Sequence, residues 1–395
     1  MVNTLDHLPL LPLFVHYHYS HHSAYTVLEQ DEFKIYHTLR SHGRIRHMKL
    51  SLPPSILQKV LPLMKEYFPI LEHLYLSSWF STDGGHRLPL TLPKTFLAPN
   101  LQHLTLIGIG LPKRLRVLTS ALSLVTLELR NIQTSSYFRP RLLVARLGSL
   151  PLLEALTITF SIPIPRPSTE RELLGENGAP ITLPSLKTLR FKGIGAYMES
   201  FVAQIRVPLL EQLSIRLFNQ IAFVLPHLFY LINNTEVFKL PSARIGFHND
   251  EVGVSTFHGL GRISFSLYVR CKPLDWQTDC ASQICHALIT TLSSVEELSL
   301  VVGYQEIPTE MRNGAIDSAM WHDLLRSFIG VKELRVYRAF MEEVSHALQV
   351  DEVASDPSFL PKLRSIYAGR NLFTFFIYTR RVMHRPVRFQ VSERL

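Results

Sequence analysis

The sequence predicts an α/β repeat solenoid, and three observations carry that prediction. A six-residue apolar phrase returns along the chain, prolines stand at a fixed place ahead of it, and the segments between copies show helical spacing. The clearest copy lies within LPSLKTLRFKGIG, Leu183 to Gly195, where Leu186, Leu189 and Phe191 fill positions one, four and six.

The first positions fall at 45, 71, 101, 124, 153, 186, 210, 235, 260, 295, 331 and 363, with spacings of 23 to 36 residues. Each interval holds about one strand plus a helix or loop, the signature of a leucine-rich-repeat solenoid. Positions four and six are two apart, so on a strand they share the face turned to the core. Position one enters that core from the preceding turn. Pro69, Pro99, Pro151, Pro184, Pro208 and Pro361 each stand two residues before a position one. A proline there stops the preceding helix and costs no ladder hydrogen bond. Two copies are degenerate, Thr235/Phe238/Leu240 and Leu260/Ile263/Phe265, and Leu363/Ile366/Ala368 is the weakest. Twelve strands at about 4.8 Å spacing make a parallel sheet about 50 Å long. The expected form is a horseshoe with that sheet on the concave face and helices or loops on the convex face.

Residues 1–44 read as a strand-helix cap, with an extended run at Leu13 to Tyr19 and a helix over Thr26 to Leu39. Residues 45–395 are the array of about twelve irregular units. Ser55 to Tyr67 has helical spacing after a Ser cap, with a kink at Pro62. Ala281 to Leu292 and Ser318 to Phe328 read as helices too. Residues 161–182, rich in Pro, Gly and charge, form an inserted loop with one helical turn at Glu170 to Leu174. Val387 to Val391 adds a last strand.

Composition narrows the function classes. At 46% hydrophobic and 18% charged residues the chain can build a core. The formal charge is +9, and the stretch from Lys362 onward carries eight basic residues against Glu393. Cys271, Cys280 and Cys285 are too few and too oddly numbered for a disulfide framework. The apolar start, MVNTLDHLPLLPLFV, lacks a basic n-region and contains Pro9 and Pro12, and no apolar run is long enough to span a bilayer. An intracellular protein, cytoplasmic or nuclear, with no membrane partner is expected.

With the repeats laid out, the chain resembles the F-box/leucine-rich-repeat proteins, fungal type with irregular repeats. The lines that carry this are FPILEHLYLSS (Phe68 to Ser78), APNLQHLTLIG (Ala98 to Gly108), LPLLEALTITF (Leu150 to Phe160) and LPSLKTLRFKG (Leu183 to Gly193). The resemblance implies a substrate-recognition arm of a ubiquitin ligase. An F-box needs three packed helices opening on Leu-Pro and an acid, whereas Leu8-Pro9 here leads into Leu10, Leu11 and Pro12. No F-box is recognisable in 1–44, so a ligase adaptor would be a partner only through an F-box outside this chain. The repeats also lack the regular Asn after position six; only Asn371 falls there.

No enzyme is expected, because no nucleophile, base and orienter assemble from the sequence. His16, His18, His21 and His22 cluster, but no Cys or carboxylate completes a ligand set, so neither metal nor cofactor is expected. Gly108-Ile-Gly110 and Gly193-Ile-Gly195 read as turns after strands, not phosphate loops. The informative surface is the open face formed by positions three, five and seven. It begins with His47, Lys49, His73, Tyr75 and His103. The candidate partner-binding residues are Arg130, Arg190, Lys192, Arg216, Lys239, Arg262, Arg335 and Tyr337. Arginine forks suit carboxylate or phosphate, so an acidic or phosphorylated protein segment is the expected ligand. The alternative is a nucleic-acid-binding solenoid using this groove and the basic tail; against it stand the missing nucleic-acid motif and the sparse aromatics.

Overall fold

In the computed structural model most of the apolar phrases become strands whose core positions lie in register. The structure describes residues 11–18, 29–78, 90–112, 116–163, 179–218, 225–258, 262–271, 274–303, 318–354, 360–371 and 374–379. The fold is mixed α/β, with large, mostly parallel β-sheet and helices, and it divides into two compact units, Met1–Leu210 and Glu211–Leu395.

The first unit keeps chain order. Strands β1 (Leu13–His18), β2 (Ile45–Leu52), β3 (His73–Ser78), β4 (His103–Ile107), β5 (Thr126–Ile132) and β6 (Ala155–Phe160) each pair in parallel with the next. A short strand β7 (Ile181–Thr182) leaves this series, and β8 (Thr188–Gly193) takes the place beside β6. β7 pairs instead with β9 (Ile205–Arg206). The register aligns phrase with phrase: Met48, Leu74, Leu104, Leu127, Leu156 and Leu189 stand side by side and are all buried.

Backbone hydrogen bonds at position two tie the phrases together. The carbonyl of position two accepts from the next unit just before the strand begins. Glu72 O takes the N–H groups of Gln102 (2.8 Å) and His103 (3.0 Å), and Gln102 O takes those of Val125 and Thr126. Each unit is thereby tied to its neighbour at a fixed register. The prolines hold a second tie: Asn100 Nδ2 donates to Pro69 O (2.6 Å) and Ser185 Oγ to Pro151 O (2.7 Å).

Local expectations fare mostly well. The helix foreseen at Ser55 runs Pro54–Val60 and passes into a 3-10 turn over Leu61–Lys65. It starts on Pro54, whose missing N–H costs nothing in a first turn, and Ser55 makes no cap. Gly108 does turn the chain, with φ at 69°. The helix expected over Thr26 to Leu39 is described as Glu29–Arg40. Most of the 161–182 insertion, Glu170 to Leu174, the Arg380-to-Arg394 part of the basic tail, and Val387 to Val391 lie outside the described residues.

The second unit breaks chain order. Its strands are β10 (Gln212–Leu217), β11 (Ser242–Phe247), β12 (Glu251–His258), β13 (Arg262–Arg270), β14 (Glu297–Val302), β15 (Glu333–Tyr337), β16 (Ser365–Asn371) and β17 (Thr374–Thr379). Their lateral order is β10-β13-β12-β11-β14-β15-β16-β17. β12 is antiparallel to both β11 and β13, so these three form a meander whose outer strands run parallel to β14 and β10. β17 is antiparallel to β16, a strand the phrase search does not find.

Two degenerate phrases are therefore corrected. Thr235/Phe238/Leu240 is not a strand: Glu236–Phe238 is a 3-10 turn, and Phe238 is buried from there. The strand aligned with β14 places Ala243 beside Leu298 and Ile245 beside Leu300, so the unit reads Leu240/Ala243/Ile245. In β13 the residues aligned with Leu213 and Ile215 are Phe265 and Leu267, two places later than expected. Ile263 is correspondingly 42% exposed.

Candidate partner-binding face

On the first unit the position-three row starts with a stack of rings. Register sets Phe14, His47, His73 and His103 side by side on β1 to β4. Phe14 lies 4.6 Å from His47, His47 stacks on His73 at 4.2 Å and 21°, and His73 on His103 at 4.3 Å and 19°. In the next row Lys49 Nζ stands 5.3 Å from the centre of the Tyr75 ring. Glu72, at position two before β3, reaches this stack. Its Oε2 is 2.8 Å from Arg46 Nε and 3.8 Å from His47 Nε2. The Arg46 hydrogen bond holds the Glu72 carboxyl below the usual carboxylate range. Burial, then the neighbouring rings of His103 and His47, holds His73 below the ordinary imidazole value.

Position two carries a row of opposite charges that the search for face residues does not reveal. Besides Arg46 with Glu72, Lys187 pairs with Glu154 at 3.0 Å in the first unit, and Lys332 with Glu296 at 2.6 Å in the second. Each pair joins adjacent phrases. Such exposed pairs contribute little energy, but unlike charges facing each other favour this register over a slipped one.

Further along the first unit, Arg130 sits on β5 and pairs with Glu128 of the same strand at 3.0 Å. The next residue, Asn131, has φ at 56°, and the pairing slips there, so β5 bulges directly after Arg130. The Asn131 N–H is taken by Thr159 Oγ1 at 3.0 Å. Arg190 is exposed on β8 and has no ion pair among the described residues; Lys192 is half-buried two places on.

In the second unit the open face is largely rewritten by the meander. Arg216 on β10 pairs with Glu251 of β12 at 3.1 Å and lies over the Tyr268 ring at 5.4 Å. The Tyr268 ring in turn crosses Gly253, where a Cβ would meet Tyr268 Cγ at 2.7 Å, so this approach requires glycine. Burial pushes the Tyr268 hydroxyl up, and the Glu251 charge adds to it. Arg335 stands 3.4 Å from both Glu297 and Glu333 and 5.9 Å from the Tyr367 ring centre; Tyr337 ends the same strand. Lys239 is not on a strand at all. It follows the 3-10 turn and pairs with Glu236 at 2.6 Å. Arg262 is exposed at the start of β13, opposite His258.

The position-five residue that Lys239 was expected to supply is Arg244. Its register neighbours are Ser255 on β12 and Ser299 on β14, with Ser266 and Ser214 continuing the row. Ser266 Oγ donates to Ser214 Oγ at 3.0 Å. Arg244 has its guanidinium 5.1 Å from the Phe257 ring centre and no ion pair among the described residues. A signal for it existed: Leu240, Ala243 and Ile245 keep the one-four-six spacing, hidden by a small residue at position four.

Cys271, Cys280 and Cys285 are all buried and free. Burial pushes the Cys285 thiol up, and the hydrogen bond with Cys280 does the same to Cys271. Among the described residues no helix is long and apolar enough to cross a membrane. No family model and no curated protein matches the chain.

Proposed function

We propose that this chain is a leucine-rich-repeat-type solenoid acting as a non-enzymatic protein-binding module, akin to the substrate arm of an F-box receptor, with an acidic or phosphorylated segment as its ligand. The repeated strand-helix units and the position-two hydrogen-bond ladder support the solenoid reading, in which the open sheet face is the concave one. The observation that carries the ligand class is Arg244, an arginine without an acidic partner among the described residues, set between serines of adjacent strands. A guanidinium fork with hydroxyls in neighbouring register positions matches the acceptor pattern of a carboxylate or phosphate. Arg190 offers the same chemistry on the first unit, whereas Arg130, Arg216 and Arg335 are already answered by carboxylates.

The test is a panel of acidic and phosphorylated peptides titrated against the wild-type chain and against R244E and R190E. Saturable, sequence-selective binding that falls at least about tenfold in R244E is expected, in line with loss of a charge-assisted contact worth about 1.5–3 kcal/mol. Absence of selective peptide binding overturns the reading. Salt-dependent binding to unrelated RNA at equal strength replaces it with the nucleic-acid alternative.

A further inference from the structure

We propose that His47, Glu72 and His73 form a binding site for a divalent first-row transition ion such as Zn²⁺. One ligand atom from each of these three residues lies within 4.8 Å of the other two. Two imidazoles and a carboxylate are a recognised zinc donor set that leaves a fourth position open to water or to a partner's side chain. At metal–ligand bonds of about 2.0–2.2 Å, donors on one tetrahedral ion stand about 3.4 Å apart, so the side chains here need only close by about an ångström.

The backbone already holds the three residues next to one another. His47 and His73 are direct register partners on β2 and β3, about 4.8 Å apart by strand spacing. Glu72 adjoins His73, its N–H donates to Arg46 O at 2.8 Å, and its carbonyl takes the N–H groups of Gln102 and His103. The two rings now lie stacked with their planes 21° apart, so ligation requires each to turn about its last torsion until the in-plane nitrogen lone pairs converge. Arg46 Nε holds Glu72 Oε2 at 2.8 Å, the same oxygen that stands 3.8 Å from His47 Nε2, and so orients the carboxylate beside the rings as an outer-shell partner does. His47 and Glu72 are 35% and 22% exposed, so an ion can enter from solvent without opening the core. His16, in the cluster that stands out in the sequence, falls opposite Lys49 in a different row.

Isothermal titration of Zn²⁺ into the chelator-stripped full chain at pH 7.5 tests this, with Co²⁺ absorption as a second readout. The expected result is one saturable equivalent that weakens at least about tenfold in H73Q and in E72Q and persists in H16Q/H18Q. Circular dichroism of each variant separates lost ligation from lost folding, and the glutamines keep side-chain volume. If no saturable equivalent is seen, or if the first equivalent is unchanged in folded H73Q or E72Q, whether or not it is lost in H16Q/H18Q, the site is wrong. Peptide binding plays no part in the readout, so failure here leaves the proposed function standing, and the reverse.

Discussion

The two units solve one problem in different ways. In the first, strand follows strand in chain order, every pair is parallel, and the open face is read directly from the phrase: rings at position three, then Arg130, Arg190 and Lys192 farther along. In the second, three strands fold as a meander between β10 and β14, and the face gains side chains from a strand that runs the other way. Glu251 arrives on that strand and answers Arg216, while Arg244 appears where Lys239 was expected. A parallel array fixes its surface by repetition. An antiparallel insertion keeps the core spacing but changes the charge on the surface.

The strongest way to break this comparison is to test the register of the second unit. Ile245 and Leu267 are fully buried at positions aligned with Leu300 and Ile215. Ile245→Ala and Leu267→Ala are each expected to cost about 2–5 kcal/mol in urea unfolding. Ile263→Ala, at the expected but displaced core position, should cost under about 1 kcal/mol because the side chain is largely outside. Equal costs at Ile263 and Leu267 would restore the shorter register and remove the meander.

Legibility follows the same divide. Leu71, Leu74 and Leu76 announce themselves because large apolar residues fill all three core positions of a parallel unit. Ala243 does not, because its side chain is small even though it is fully buried at its core position. β12 escapes notice for another reason: Val252 and Val254 face the core, but Gly253 and Ser255 are buried too, so no clean alternation marks it. The stacked histidines were visible as face residues. Their approach to Glu72 was not, because position two lies outside the strand and its side chain reaches the row only through the turn. For Arg244 the available clue was a second apolar triplet, Leu240/Ala243/Ile245, next to a weak one.

Gly253 tests how tightly the rewritten face is packed. Gly253→Ala puts a methyl group against the Tyr268 ring, with an expected loss of about 1–3 kcal/mol. Adding Tyr268→Ala should recover part of that loss, and no recovery would place the strain elsewhere. The hairpin between β11 and β12 supplies a pH test. His248 is held below the ordinary imidazole value, first by burial, with Glu251 and Asp250 opposing and Arg216 assisting. The unfolded chain therefore binds this proton at higher pH than the folded one. Stability is full above about pH 6.5 and falls as the pH drops from there through the folded-state value. Between pH 7.5 and 5.5, wild type should lose more stability than His248→Asn, a window above the carboxylates; matched slopes would mean the ring titrates as in water.

The smallest expected effect is the most informative about function. Arg216 is about half exposed while Glu251 is mostly buried, and they meet at 3.1 Å. A double-mutant cycle of Arg216→Gln and Glu251→Gln should give a coupling of only about 0.2–1 kcal/mol, because solvent screens the exposed partner. So weak a pair contributes little to holding the meander, but it does set the charge of the face. Removing the Glu251 carboxylate leaves Arg216 beside Tyr268 with no ion pair among the described residues, so Glu251→Gln should strengthen binding of an acidic peptide to the second unit while changing stability by less than about 1 kcal/mol. If affinity is unchanged, Arg216 lies off the ligand's path, and Arg244 with its flanking serines carries the contact without it. If affinity falls, the carboxylate itself is part of the binding surface and the acidic-ligand reading fails for this unit, whatever the first unit binds.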